Sequence, residues 1–125
     1  MAKILVVDDE TDLESLIKQK FRQKIREKHY EFVFASNGRH ALEQLVTHTD
    51  VDVVLSDINM PEMDGLTLLT KLSEENNLLK SVIVSAYGDM ENIRTAMNRG
   101  AFDFITKPVN YEDLELTMEK TIKHV

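Results

Sequence analysis

Three short segments of this chain carry charged residues that together could hold a cation and a phosphoryl group. Asp8 and Asp9 follow the first apolar, β-branched run, Asp57 follows the third run, and Lys107 follows the fifth. Each run is typical of a strand, and the carboxyl ends of parallel strands face one crevice where ligands bind. Three carboxylates and one lysine are therefore predicted to converge, which points to phosphate chemistry on Asp57.

The residue types suit this chemistry. Mg²⁺, or Mn²⁺, takes oxygen ligands, and Asp8, Asp9 and Asp57 supply carboxylate oxygens. Clustered carboxylates repel one another, so the pKa of at least one of them should be raised when no cation is bound. Lys107 offers a compact charge to a phosphate oxygen, and the Ser85 hydroxyl can donate to the same phosphate. Asp57 is the natural nucleophile, because carboxylates form acyl phosphates.

Alternating patterns along the chain predict the elements that position these residues. Apolar runs alternate five times with segments of helical periodicity, which favours an α/β protein of βα units with a parallel sheet. The predicted strands are residues 4–7, 32–35, 51–55, 82–84 and 102–105. The apolar stripes predicted to face the core from the five helices are Leu13, Ile17, Phe21 and Ile25; Ala41, Leu42, Leu45 and Val46; Leu66, Leu69 and Leu72; Ile93, Ala96 and Met97; and Leu114, Met118, Ile122 and Val125.

Polar residues and glycines predict the helix ends. Asp64 and Gly65 open the third helix, Asp89 is suited to cap the start of the fourth, and Asn110 the start of the fifth. Gly100 fits the left-handed conformation that commonly ends a helix.

A basic run in the first helix allows two interpretations. Its members alternate along the segment and are Lys18, Lys20, Arg22, Lys24, Arg26 and Lys28. They form either a solvated helix face or a docking surface for an acidic partner. Lys20 and Lys24 also fall within the apolar stripe, so either their stems pass the edge of the core to reach water or the helix runs beyond the sheet.

Composition limits the class of protein. The 125 residues are the size of one domain, with a formal net charge of −7, no cysteine and no apolar run near the ~20 residues of a membrane span. We expect a globular domain of the cytoplasm, without a secretory signal and without membrane contact. The negative charge disfavours nucleic acid as a direct partner.

Four segments, in one order and spacing, carry a family resemblance. Residues 4–10, 55–65, 84–88 and 100–108 resemble the receiver domain of two-component response regulators, of the chemotaxis-regulator kind. The resemblance covers the whole chain and implies one receiver domain over residues 1–125. It further implies a three-layer, doubly wound (βα)5 flavodoxin-like fold with a parallel sheet in the order 2-1-3-4-5.

The resemblance implies a role for each residue of the crevice. Asp57 would accept a phosphoryl group from a phosphohistidine on a sensor histidine kinase or a phosphotransfer protein. Asp9, Asp57 and the backbone carbonyl of Asn59 would bind Mg²⁺, with Asp8 close by through water. Lys107 would bind a phosphate oxygen.

A switch beside the phosphate is also implied. Ser85 would turn toward the phosphate, with Ala86 in the loop that follows it, and Phe104 would change rotamer in step with Ser85. Phe104 stands where many relatives have tyrosine, so the coupling must act through packing, and core packing is expected to be at least half of its role. The Lys107-Pro108 bond is expected to be cis, which only an X-Pro bond tolerates at low cost.

Further positions are implied to tune the switch. Asn59 could orient an attacking water and Tyr87 could shield the phosphate, and their net effect on its lifetime stays open. Gly65 is expected to have a structural role. The first helix looks about one turn longer than in relatives, which places the basic run on an element that contributes to kinase docking in the family.

The sequence therefore predicts a phosphorylation switch, not an enzyme acting on a separate substrate. Phosphate would shift the face formed by the fourth helix, fifth strand and fifth helix, which would control an output domain or target protein and could support a phosphorylation-dependent dimer. A flavin-binding electron carrier of the same fold is an alternative, although Asp8, Asp9 and Glu10 would repel the cofactor phosphate. A metabolite phosphatase and a degenerate receiver that only binds partners are the others.

Overall fold

A computed structural model describes residues 1–60, 63–75, 79–86 and 88–125 of the chain. The strands are β1 Ala2–Val7, β2 Tyr30–Ala35, β3 Val53–Asp57, β4 Lys80–Ala86 and β5 Asp103–Lys107. The helices are α1 Asp12–Lys20, α2 Arg22–Arg26, α3 Gly38–Thr47, α4 Gly65–Glu75, α5 Met90–Asn98 and α6 Tyr111–Ile122. None of the described helices is long and apolar enough to cross a bilayer.

The five strands form one parallel sheet in the order β2-β1-β3-β4-β5, which confirms the predicted topology. Every residue of β3 is buried, as expected for a central strand covered on both faces. The bounds differ from the prediction in one way that matters for the site. Asp57 ends β3 and Lys107 ends β5, so both residues belong to the strands that the sequence placed them after.

Apolar side chains pack on both faces of the sheet and produce three layers. On one face, α1 and α6 cover the sheet with the buried residues Leu13, Ile17, Leu114 and Met118, and Phe21 joins them from the residue after α1. On the other face, α3, α4 and α5 contribute Ala41, Leu68, Leu69, Leu72 and Ala96. The sheet is therefore held rigid between two helical layers, with its carboxyl edge left for the site.

The predicted long first helix is wrong as a single element, because the chain departs from helical geometry at Phe21. The Phe21 ring is fully buried among the rings of Tyr30, Phe32 and Tyr111, with centroids 5.1 to 5.7 Å apart. This anchor fixes the break, and in the following turn Ile25 is 36% exposed instead of continuing the buried stripe.

The two interpretations of the lysines in the apolar stripe, a turn beyond the sheet or a stem that passes the edge of the core, hold for one residue each. Lys20 is exposed, as expected for a turn beyond the sheet. Lys24 is half-buried and reaches past the core, with its Nζ atom 3.6 Å from a carboxylate oxygen of Glu115 and 5.6 Å from the centroid of the Tyr30 ring.

Besides Ile25, three predicted core residues are at the surface. Val46 is 80% exposed, Val125 57% and Met97 40%. Each is the last member of its predicted stripe. Val46 and Met97 directly follow Leu45 and Ala96, so one residue of helical rotation turns them away from the covered side of α3 and α5, and Val125 lies beyond the end of α6. The stripes are therefore correct in direction, but each includes one position that is not covered.

Candidate functional site

The carboxyl edge of the sheet gathers the charged residues that the sequence predicted to converge. Asp57 ends β3, Asp8 follows β1, and Lys107 ends β5. Asp57 is only 3% exposed, Asp8 is half-buried and Asp9 is exposed. Exposure therefore increases from Asp57 at the floor of the crevice to Asp8 and then to Asp9 at its rim.

The three carboxylates are close enough to share one cation. One oxygen each from Asp8, Asp9 and Asp57 lies within 4.8 Å of the others. An all-oxygen donor set with several negative charges suits a hard divalent ion that retains some of its water. Asn59 begins the loop beside this cluster, and its backbone N–H donates to Oδ1 of Asp57 at 3.3 Å, while its side chain is exposed.

Lys107 is already engaged with the buried carboxylate. Its Nζ donates to Oδ2 of Asp57 at 2.6 Å. Burial alone would lower the pKa of Lys107, but the hydrogen bond and the charge of Asp57, with Asp8 and Glu10, outweigh burial and raise the pKa. Lys107 therefore stays protonated and places its positive charge next to Asp57 at the floor of the crevice.

Asp8 shows the cost of crowding carboxylates. Burial raises the pKa of Asp8, and the charges of Asp57 and Asp9 raise it further. The backbone N–H of Glu10, which donates to Oδ1 of Asp8 at 3.0 Å, and the charge of Lys107 oppose this rise without cancelling it. The raised pKa expected from the clustering is confirmed in direction.

Ser85 places a free hydroxyl near the end of β4. Its Oγ is buried and has no hydrogen-bond partner in the described ranges of the chain. A buried hydroxyl without a partner is costly in a folded protein. This donor is thus available to an acceptor that enters the crevice, and Ala86, which follows it, is exposed.

Phe104 lies on edge strand β5 and is partly open to solvent. The residue is 37% exposed, so part of its ring reaches the surface. Phe104 pairs with Ile83 across the β4–β5 ladder, which places it two residues before the partner of Ser85. The expectation that core packing is at least half of its role stays a prediction.

Gly65 holds the loop that follows Asp57. Its N–H donates to the carbonyl of Ile58 at 2.7 Å, and a Cβ at this position would collide with the carbonyl oxygen of Asp57. Only glycine permits this close approach of the two backbone segments. The Lys107-Pro108 bond is cis, as expected. Tyr87 and Glu62 lie outside the described residues.

Sequence reasoning missed two contacts that support this loop. The N–H of Gly38 donates to the carbonyl of Met63 at 3.1 Å, and a Cβ on Gly38 would lie 2.7 Å from Cγ of Met63. The Ser56 hydroxyl donates to the carbonyl of Asp57 at 3.0 Å. Asn37 is a residue type that favours a helix start, and it caps α3 by accepting from the N–H of His40 at 2.9 Å, but nothing in the sequence indicated the contact of Gly38 with Met63.

A cleft of about 550 Å³ opens beside the charged cluster. Its lining combines acidic and apolar residues and includes Asp8, Glu10, Leu13, Leu16, Pro108 and Val109. The cleft reaches Lys107, so a group that enters it can approach the ammonium group of Lys107.

Comparison with known proteins agrees with this geometry. Residues 4–119 match the family model described as the response regulator receiver domain. The transcriptional regulatory protein ZraR of Escherichia coli K12 is 35% identical over 97% of this chain and 26% of its own length. The DNA-binding transcriptional regulator NtrC of the same organism is 39% identical over 70% of this chain and 19% of its own.

A receiver domain from Clostridium thermocellum superposes with a TM-score of 0.82 at 31% identity, covering 98% of this chain and 95% of that one. The present chain spans about a quarter or less of the length of the curated relatives. With a family match over nearly its whole length and a site of the expected composition, the chain belongs to the response regulator receiver domains of two-component systems.

Proposed function

We propose that Asp57 accepts a phosphoryl group from a phosphohistidine of a sensor histidine kinase or phosphotransfer protein. One observation carries this proposal: a buried carboxylate that contacts Lys107 and shares a crevice with two further carboxylates. A carboxylate oxygen of Asp57 attacks phosphorus, the phosphorus–nitrogen bond to the donor histidine breaks, and that nitrogen retains the electron pair. The product is an acyl phosphate at the floor of the crevice.

Asp8, Asp9, Asp57 and the backbone carbonyl of Asn59 are proposed to hold Mg²⁺ or Mn²⁺. The support is the set of carboxylate oxygens within 4.8 Å of one another. Burial, and to a smaller degree the charges of Asp57 and Asp9, raise the pKa of Asp8, and a bound cation would oppose this rise. The bound ion would supply charge neutralisation where phosphate oxygens approach a carboxylate. The place of Asp57 at the end of β3, and the hydrogen bond that its carboxylate accepts from the N–H of Asn59, then fix its position.

Lys107 and Ser85 are proposed to receive the phosphate. Lys107 exchanges its contact with Asp57 for a phosphate oxygen, which keeps a charge-assisted bond throughout. Ser85 donates its unpaired hydroxyl to another phosphate oxygen, and Ala86 moves with it. Phe104, now exposed, would move inward with this rearrangement and work through packing, since it has no hydroxyl.

The output is proposed to be a shift in the face formed by α5, β5 and α6, which correspond to the predicted fourth helix, fifth strand and fifth helix. To reverse a population from almost all inactive to almost all active takes about 5.5 kcal/mol of differential stabilisation, which charge-assisted bonds to the phosphate can largely supply. The relatives named as transcriptional regulators support an output domain or target protein and a location in the cytoplasm. A phosphorylation-dependent dimer on the same face fits this scheme.

The chain is proposed to act as one domain, residues 1–125, that catalyses only its own phosphorylation and dephosphorylation. Its single sheet and the family match over residues 4–119 support this assignment. Asn59 and Tyr87 are proposed to tune the lifetime of the phosphate. The acidic residues after β1 and the receiver family match together disfavour a flavin carrier.

The test is exposure of the chain to a small phosphodonor with Mg²⁺, followed by intact mass measurement. We expect the native chain to gain one phosphoryl group and Asp57→Asn to gain none. If the native chain gains no mass, or if the variant gains as much, Asp57 is not the acceptor.

A further inference from the structure

The outer edge of β2 presents backbone groups without partners. β2 is an edge strand of the sheet, and at its two ends His29 and Ala35 accept hydrogen bonds from the β1 side, at 3.1 and 3.0 Å. In a parallel ladder alternate residues bond to the same neighbour, so Tyr30, Phe32 and Phe34 direct their N–H and C=O groups away from β1. Of these groups only the Phe34 carbonyl has a partner in the part of the chain that the structure describes, the side-chain amide of Gln44 at 3.0 Å.

A groove runs along this open edge. It has a volume of about 590 Å³ and is lined by Met1, Lys18, Ile25, Lys28, Tyr30, Glu31, Phe32 and Phe34, which we call the β2-edge groove. Half-buried aromatic rings form its floor, with Phe32 and Phe34 stacked at 6.4 Å between centroids. Lys18 lies 5.2 Å from the centroid of the Phe34 ring, and Lys28 precedes Tyr30 at the start of the strand. The groove is therefore mostly apolar and basic at both ends, and the one acidic residue in its lining, Glu31, is paired with Lys3 at 3.2 Å.

The surroundings of the groove are strongly basic in an otherwise acidic chain. Residues 18–28 contain six basic residues and one acidic residue, while the net charge of the whole chain is −7. Lys18 is paired with Glu14, and Lys24 with Glu115 and Glu119 on α6. Among the residues that the structure describes, Lys20, Arg22, Arg26 and Lys28 have no ion pair, so this region can accept negative charge.

We propose that the β2-edge groove binds an extended segment of another protein that is apolar in its centre and acidic at its ends. The unpaired N–H and C=O groups call for a partner backbone, as in strand addition at a sheet edge, and the aromatic floor calls for apolar side chains. Edge-to-edge pairing with a second copy of this chain would bring the lysines at the ends of one groove, Lys18 and Lys28, against those of the other, and this like-charge contact disfavours it. A nucleic acid offers no backbone N–H and C=O groups to extend the sheet.

This inference is independent of the phosphoryl chemistry, because none of the residues that line the groove belongs to the acidic cluster or contacts Asp57 in the site described above. The consequence is a second docking surface on the far edge of the sheet from β5. It would recruit its partner whether or not Asp57 is phosphorylated.

The experiment titrates the ¹⁵N-labelled chain with the amidated peptide acetyl-Asp-Glu-Val-Phe-Val-Asp-Glu and records amide NMR shifts at low salt. We expect shifts concentrated in Tyr30–Ala35 and around Lys18 and Ile25. The double variant Lys18→Glu, Lys28→Glu should weaken binding by about tenfold or more, since two charge contacts turn from attractive to repulsive. The matched variant Lys71→Glu, Lys123→Glu, which changes exposed lysines elsewhere, should bind as the native chain does.

Further arms separate the alternatives. A peptide with lysine at the four acidic positions should not bind, and Asp57→Asn should bind the acidic peptide normally, which distinguishes this site from the phosphoacceptor. The proposal is overturned if β2 amides do not shift, or if the double variant binds as tightly as its matched control. It is also overturned if the chain dimerises through β2 without peptide, or if a short oligothymidine binds the groove more tightly than the peptide.

Discussion

At the scale of single residues, the site stores unfavourable interactions that a ligand would relieve. Asp8 is held as a carboxylate beside Asp57 and Asp9, and the Ser85 hydroxyl is buried without a partner in the described chain. Both features lower the stability of the unliganded fold. Both are also what a cation and a phosphate would satisfy, so the same residues link stability to function.

Replacement of Asp8 by asparagine should stabilise the metal-free protein at neutral pH. The folded-state pKa of Asp8 is raised, so this group favours folding less as pH rises through that pKa, and its contribution improves again in acid. Asparagine keeps the acceptor for the Glu10 N–H but removes the charge. We expect a gain on the order of 1 kcal/mol in the free energy of unfolding, measured by denaturant titration with a chelator present.

Two comparisons check this result. The gain should shrink at about pH 4, where part of the native Asp8 population is protonated. Asp103→Asn, which removes a carboxylate that pairs with Lys120 at 2.7 Å, should give no gain. An Asp8→Asn protein that is less stable than the native chain at neutral pH would contradict the account of the acidic cluster.

Ser85→Ala should raise stability while impairing the switch. Removal of a buried hydroxyl without a partner is expected to stabilise by about 1 kcal/mol, or roughly 4 °C in Tm for a domain of this size. The matched change Ser56→Ala, on the neighbouring strand, removes a hydroxyl that donates to the Asp57 carbonyl at 3.0 Å and should cost about 1 kcal/mol. Equal losses in both variants, read by thermal unfolding, would show that Ser85 has a partner.

At the scale of elements, two helix starts for which the sequence predicted a capping side chain differ in the structure. Asn110 accepts a hydrogen bond from the N–H of Asp113 at 2.8 Å and caps α6 as predicted. Asp89 stands at the start of α5 but makes no cap bond to the backbone, because its carboxylate accepts from the Asn92 side-chain amide at 2.8 Å. The residue type predicted the position correctly at both helix starts, but of these two only Asn110 makes the cap bond, as Asp64 also does at the start of α4 by accepting from the N–H of Thr67 at 2.8 Å.

Asn110→Ala should therefore cost more than Asp89→Ala. Loss of the cap of α6 is expected to lower the free energy of unfolding by about 1 kcal/mol, whereas Asp89→Ala loses only a side-chain contact and a favourable charge near the helix start, at about 0.5 kcal/mol. Urea titration of the two variants measures the difference. The reverse order would mean that the Asp89 carboxylate caps α5 in solution.

At the scale of the whole molecule, the sequence predicted the sheet topology and the convergence of the charged residues better than the bounds of the elements and the exposure of single residues. Alternating apolar runs sufficed for five parallel strands, and the charged residues at their ends sufficed for the crevice. The break at Phe21 depends on rings contributed by β2 and α6, which are distant in sequence, so local periodicity could not reveal it. The exposure of Phe104 likewise depends on what covers its side of β5. The hydrogen bond from Gly38 to Met63 depends on a contact between the start of α3 and the loop before α4.

Phosphorylation of the buried carboxylate is the most direct test of the account. The native chain, Asp57→Asn and the matched carboxylate variant Asp103→Asn are each mixed with a small phosphodonor, with Mg²⁺ or with a chelator, and intact mass is followed over time. The account predicts the gain of one phosphoryl group by the native chain and by Asp103→Asn, only with Mg²⁺, and none by Asp57→Asn. A gain by Asp57→Asn, or none by the native chain with Mg²⁺, would contradict it.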